Sequence, residues 1–387
     1  MLKPDSASVS QTALSTNSEA ELAFRRGQYY ANRYNNRHLA ADFDLAFASL
    51  KQALELDAGF AAAAAEINAL YAYTVEAGGS VDEAVLRMEE WARRALAINP
   101  RTGKAWTGLA VAEFYRPQAR ARKMQEDALR GATFGPQCSQ CQTGLGLALA
   151  RSSVSVALAT DLESHRLDPL YLYPMSNAAE GLHFLGRSAE ALPLVEEALR
   201  IEPDFPVGLL RKTLIRTALS RNEDAVVLLK RLEGHVREQR LSSLVVQLAQ
   251  HAIARAQGNT KGADVVLAQI RTALSNPRTS GFELSYMAGD LLPVLAQHGR
   301  SDAAIEILTE LVRVGVVPAY DLLVLNPQLE VLRQDTRVRP VLSKAKTQFE
   351  EMVTVLNEAR GRGEFPKYLE GPLADLITKL RAEKALE

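Results

Sequence analysis

The sequence predicts an all-α chain: a right-handed superhelical solenoid of helical hairpins, finished by C-terminal capping helices. Three observations carry that expectation. At 387 residues the chain is too long for one compact core, so it folds as two or three globular domains or as one extended repeat array. Composition favours the array, because Ala, Leu, Glu and Arg abound and β-branched clusters such as Val226 to Leu229 sit in helix-period patterns. A closing phrase also recurs, as Ala53-Leu54-Glu55-Leu56-Asp57-Ala58, Ala95-Leu96-Ala97-Ile98-Asn99-Pro100 and Ala198-Leu199-Arg200-Ile201-Glu202-Pro203. Each copy is followed by a fresh helical pattern.

Along the chain, residues 1–18 are rich in Ser, Thr and Ala, lack the apolar stretch of a secretory signal, and read as a flexible leader. Residues 19–315 read as the array, about eight units long. First helices open at Gly27 with Tyr30, Ile67-Asn68 with Tyr71, Trp106 with Leu109-Ala110, and Leu145-Gly146 with Leu149. The clearest unit lies between Pro169 and Pro203, 34 positions apart, and orders Ala178-Ala179, Leu182, Gly186, Ala191, Val195 and Ala198 between them. That order resembles the tetratricopeptide repeat, whose small residues mark close helix crossings and whose terminal proline stops the second helix. Later units keep the order with Gly258, Ala263 and Leu267, then Gly299, Ala304 and Leu308. Longer inter-helix loops are expected near Asn32 to Phe43 and Gly78 to Asp82. Residues 316–387 read as the cap: Phe349, Met352, Val353 and Leu356 form one amphipathic stripe, and a short helix follows Pro372.

The opening Ala23-Phe24-Arg25-Arg26-Gly27-Gln28-Tyr29-Tyr30-Ala31-Asn32-Arg33 and the closing Leu332-Arg333-Gln334-Asp335-Thr336-Arg337-Val338 are similar to the tetratricopeptide regions of two bacterial groups. These are the repeat regions attached to class III adenylate cyclases and to winged-helix transcriptional regulators. Thr336 and Val338 replace the Pro and Phe usual in the closing phrase. The resemblance implies a hairpin solenoid and a role in binding or regulation; neither companion domain is present in this sequence.

No motif proposes a nucleophile, a general base, a cofactor or a metal. Cys138 and Cys141 have the spacing to share a zinc ion or a disulfide at a helix start, but no further ligands follow at suitable spacing, so they read as packing residues. A metal bridged between chains and a redox switch are the alternatives. Gly144-Leu145-Gly146 lacks the strand and third glycine of a dinucleotide fingerprint and reads as close helix packing. Gly258 to Gly262 reads as a turn. The six histidines never pair as in a zinc-protease helix, and carboxylates appear interleaved with Arg and Lys on outer faces.

Net charge is −1 with both signs mixed, which argues against direct nucleic-acid binding. No apolar run is long enough to enter a membrane as a span, and two cysteines fit a cytoplasmic chain. In this kind of superhelix the first helices line the concave face. The expected partner-binding groove is therefore Tyr73, Phe114, Tyr115, Tyr173, His183, Phe184, Leu210 and Leu214, with Phe24 and Gln28 at inward places of the first unit. Phe24 and Gln28 stand where chaperone-binding members carry cations, so carboxylate clamping is not expected. The function expected is a non-catalytic scaffold that takes a peptide segment or partner protein in this groove. The alternative is a ligand-sensing region of a signalling protein, and a homo-oligomer is compatible with either. Tyr173→Ala or Phe184→Ala is expected to weaken capture more than stability.

Overall fold

The computed structural model describes residues 15–116, 118–276 and 278–383; the expected leader lies outside them as far as residue 14. The chain is an all-α solenoid of antiparallel hairpins, with no strand among the described residues. Its hairpins are α1 (Ser18–Arg37) with α2 (Ala40–Leu56), α3 (Ala61–Glu76) with α4 (Val81–Ile98), α5 (Gly103–Tyr115) with α6 (Ala121–Phe134), and α7 (Ser139–Ala150) with α8 (Val154–Leu167). There follow α9 (Tyr173–Phe184) with α10 (Ser188–Ile201), α11 (Pro206–Ala218) with α12 (Asn222–Arg237), and α13 (Ser243–Ala256) with α14 (Thr260–Leu274). The next first helix is broken: α15 (Gly281–Tyr286) passes through a π-helical turn, Met287–Leu291, into α16 (Leu292–Gln297), which packs on α17 (Ser301–Arg313). Helices α18 (Tyr320–Leu325), α19 (Glu330–Arg333), α20 (Arg339–Gly361) and α21 (Glu370–Ala382) complete the chain.

Sequence explains which helix lies inside. Second helices are amphipathic: α4 buries Ala84, Met88, Trp91, Ala92 and Ala95 and turns its Arg and Glu outward. First helices such as α5 and α7 are buried nearly all round, because they pack against neighbours on both sides and against the superhelix interior. Small residues make this possible. A Cβ on Gly144 would stand 2.2 Å from Thr107 Cγ2, and one on Gly146 2.4 Å from Thr160 Oγ1, so both glycines mark close helix crossings. Gly258, with φ of +71°, makes the expected turn before α14.

One expected loop is helix instead. Asn32 to Phe43 holds a two-residue turn, since α1 continues to Arg37 and His38, at φ +52°, reverses the chain in the left-handed conformation. The extension has a purpose in the packing: it carries the first turn against the ends of the fifth and sixth hairpins. There Arg240 Nε donates to the Arg37 carbonyl at 2.7 Å, His38 Nδ1 donates to the Arg240 carbonyl at 2.7 Å, and Arg37 pairs with Glu202 at 2.7 Å.

The C-terminal helices also fold back onto the middle of the array, where α20 packs on α6 and α21 on α8. Phe349, Met352, Val355 and Leu356 form the buried stripe of α20, with Val353 only partly covered. Asp321, fully buried, accepts hydrogen bonds from the backbone N–H of Val154 (2.9 Å) and Ser155 (2.7 Å) and from the Ser153 hydroxyl (3.0 Å), capping α8 from a distant part of the chain. Asn326 Nδ2 donates to the Phe184 carbonyl at 2.8 Å. The segment from Val316 to Ala319 thereby roofs the concave side of the central hairpins.

Candidate functional site

The concave side carries an open groove that runs into a smaller cavity. The groove, about 750 Å³, lies along α1, α3, α5 and the start of α7; the cavity, about 140 Å³, lies between the central hairpins and the C-terminal roof. Lys104, Gln140 and Tyr171 line both, so the two spaces adjoin.

Amide side chains dominate the groove's chemistry. Gln28, Asn32, Asn35 and Asn36 come from α1, and Gln137 and Gln140 flank the start of α7. Asn35 is buried and its Oδ1 has no hydrogen-bond partner; neither has Oε1 of Gln140. The groove's inner cation is already matched, because Lys104 Nζ sits 2.6 Å from Glu66 Oε2. Cys138 and Cys141 also line this wall, and here the expectation of packing thiols is corrected: they are joined as a disulfide. Cys138 is the N-cap of α7 and Cys141 lies one turn inside, which brings their Cα atoms to 5.1 Å.

Rings and carboxylates line the cavity. The Tyr73 and Tyr171 hydroxyls lie 2.9 Å apart, and the Tyr115 hydroxyl donates to the Ala72 carbonyl at 2.9 Å. The Tyr173 hydroxyl donates to Glu76 Oε2 at 2.6 Å and lies 2.9 Å from His38 Nε2. Burial holds His38 down at about 4, so it is neutral at pH 7. Glu180, also lining the cavity, pairs with Arg211 at 2.5 Å. Asp161 receives only a long bond, 3.5 Å, from Asn177 Nδ2.

Of the residues that the sequence nominated, Tyr73, Phe114, Tyr115, Tyr173 and Phe184 line this cavity together. Each is at least nine-tenths buried, so these rings are packed into the cavity wall. His183 faces away from it, with Nδ1 2.8 Å from Ser188 Oγ and Nε2 3.5 Å from Asp290 Oδ1. Leu210 and Leu214 are buried in the main apolar core behind the cavity wall. Phe24 and Gln28 line the open groove.

Sequence reasoning missed Glu76, Asp161 and Glu180, having placed carboxylates on outer faces. A signal was present. Outer carboxylates carry a helical-spaced cation, as Glu89 does with Arg93 and Glu190 with Arg187. Glu76, Asp161 and Glu180 have no Lys or Arg three or four places away in either direction.

Burial pushes the Glu76 carboxyl up to about 7 and that of Asp161 well above the usual range. The groups facing Glu76 are Tyr34 of α1, Tyr73 of its own helix, Tyr115 of α5, Tyr171, Tyr173 and Glu180 around α9, Arg211 of α11 and Tyr286 of α15. Folded Glu76 keeps its proton where the unfolded chain, titrating near ~4.3, has lost it. Its contribution to stability is therefore complete below that value and is lost as pH rises towards about 7. Glu76→Gln combined with Asp161→Asn is expected to gain about 1–3 kcal/mol on wild type between about pH 5 and 7.5. Urea unfolding at both pH values checks this; a constant difference between the proteins would contradict it.

No protein-family model matches the chain, and no curated protein does. Among solved structures, human IFIT1, as a dimer with m7Gppp-AAAA, is similar over 94% of this chain and 96% of its own, with 12% identity and a TM-score of 0.42. PilW, a type IV pilus biogenesis factor, aligns with 66% of this chain and 94% of its own at 17% identity and a TM-score of 0.32. Yeast Tom70 aligns with 94% and 95% at 11% identity and a TM-score of 0.30. No helix among the described residues is long and apolar enough to cross a membrane.

Proposed function

We propose that the chain is a non-catalytic binding module that holds an extended segment of another protein along the amide-lined groove, with one side chain entering the cavity. The observation that carries this reading is the pair of amide oxygens without a partner among the described residues, Asn35 Oδ1 and Gln140 Oε1, in a groove that adjoins a ring-lined cavity. An extended backbone offers N–H and C=O groups in alternation, and a primary amide both donates and accepts, so an amide row matches a peptide of any sequence. Sequence preference then resides in the cavity, where Tyr73, Phe114, Tyr115, Tyr173 and Phe184 enclose what enters. The ring lining of the cavity also supports a second reading: a free small molecule fills it and the chain reports its presence, as a sensing region of a cyclase or winged-helix regulator would.

The test is an immobilised array of random dodecapeptides probed with the full chain. Defined peptides are expected to bind, and Gln28→Ala with Asn32→Ala is expected to weaken them by about 1–3 kcal/mol without changing the melting temperature. An array without binders, or binders indifferent to this double variant, would contradict the groove reading.

A further inference from the structure

The cavity's hydrogen-bonding capacity is lopsided. Glu76 and Asp161 are buried carboxylates with no ion-pair partner among the described residues, and Asn68, fully buried, turns Nδ2 to the Met88 carbonyl at 2.6 Å and leaves Oδ1 without a partner. All three line the cavity. Of the two cationic side chains of the lining, Lys104 is held by Glu66 at 2.6 Å, and Arg151 gives Nη2 to the Phe114 carbonyl at 2.7 Å while its Nε has no hydrogen-bond partner among the described residues. Unpartnered amide oxygens, Asn68 Oδ1 and Gln140 Oε1, outnumber the one unpartnered nitrogen, Arg151 Nε, among the described lining residues, and neither Glu76 nor Asp161 has a cation beside it, so a ligand that supplies N–H donors and positive charge fits this end of the cavity. The tyrosine rings suit it, since their faces attract cations. At about 140 Å³ the space is close to the ~150 Å³ that holds one benzene-sized group.

Resting on the groove reading above, we propose that the cavity binds an organic cation, an alkylammonium or guanidinium group, between the Glu76 and Asp161 carboxylates and the faces of Tyr73, Tyr171 and Tyr173. Its N–H groups donate to the carboxylate and Asn68 oxygens, and the rings cover its apolar stem. Burial favours protonated Glu76 in the empty cavity, so the cation displaces that proton and binds more tightly as pH rises through about 7. The Tyr173 hydroxyl, which donates to Glu76 Oε2 and lies 2.9 Å from His38 Nε2, links the cavity to the contact between His38 and Arg240.

The experiment is isothermal titration of the full chain at about pH 8 with agmatine, n-butylamine, the neutral N-butylurea, and the pentapeptides Gly-Gly-Arg-Gly-Gly and Gly-Gly-citrulline-Gly-Gly. Cations are expected to bind roughly tenfold or more tighter than their neutral counterparts. Glu76→Gln with Asp161→Asn is expected to erase that margin while leaving the melting temperature unchanged or raised, since it removes charge from a buried place. Tighter binding of the arginine peptide than of agmatine assigns the cation to a polypeptide side chain; equal binding assigns it to a free amine or guanidine. The proposal is overturned if no cation binds, if neutral counterparts bind equally, or if the double variant keeps the preference. Equal binding of both pentapeptides, lost in Gln28→Ala with Asn32→Ala, would sink the cavity proposal and leave the groove reading standing. Cation binding with no peptide binding would do the reverse.

Discussion

Replacing Arg211 by Met is expected to cost about 3–5 kcal/mol of stability, one of the two largest losses among the substitutions considered. Arg211 is fully buried, bonded to Glu180 at 2.5 Å and to Asp290 at 3.3 Å, with its guanidinium carbon 4.0 Å from the centre of the Tyr286 ring. Methionine fills much of the volume but leaves the Asp290 carboxylate, itself buried in the π-helical turn, without its guanidinium and with only the His183 imidazole 3.5 Å away. The loss therefore comes from the uncompensated partners. Adding Glu180→Gln and Asp290→Asn to Arg211→Met is expected to restore most of it, because an uncharged cluster needs no compensation. Urea unfolding at pH 7 measures all three states; a single variant within about 1 kcal/mol of wild type would contradict the account.

Tyr173→Ala is expected to cost a similar amount, about 3–5 kcal/mol. Its ring meets those of Tyr73, Tyr171 and Phe205, and its hydroxyl reaches both Glu76 and His38. This differs from the sequence expectation that an alanine there would act on binding more than on stability. The structure supplies the reason: His38 at the end of α1 and Phe205 at the start of α11 close on Tyr173, so an inward-facing ring becomes a core ring. Tyr173→Phe keeps the ring and is expected to cost about 1–2 kcal/mol. Equal losses for the two variants, measured by thermal and urea unfolding, would show that the hydroxyl and not the ring holds this seam.

The hairpin fold was legible because its determinants are local. The closing phrase of each unit, the glycine turns at Gly186, Gly258 and Gly299, and the stripe of α20 each act within a few residues of themselves. What was hidden depends on long-range contact. Nothing near Asp321 announces that it caps α8, and nothing near His38 announces Arg240. The cavity was half visible: periodicity gave Tyr73, Phe114, Tyr115, Tyr173 and Phe184, since every first helix turns the same places inward. Its carboxylates were overlooked because a glutamate among alanines reads as solvated unless its missing helical counter-charge is noticed. His183, Leu210 and Leu214 show the converse error. His183 shares α9 with Tyr173 and Phe184 yet lies against Ser188 and Asp290, and Leu210 and Leu214 of α11 are taken up by the main apolar core.

The claim that partners lie in the amide-lined groove is tested most directly by amide hydrogen exchange of the full chain, with and without a saturating array-selected peptide. Protection is expected over residues 28–36, 61–66, 99–104 and 137–141, the groove-lining stretches of α1, α3, α5 and α7, with exchange over α12 and α14 unchanged. Protection confined to outer helices such as α12 and α14, with the groove exchanging as in the free chain, would contradict it.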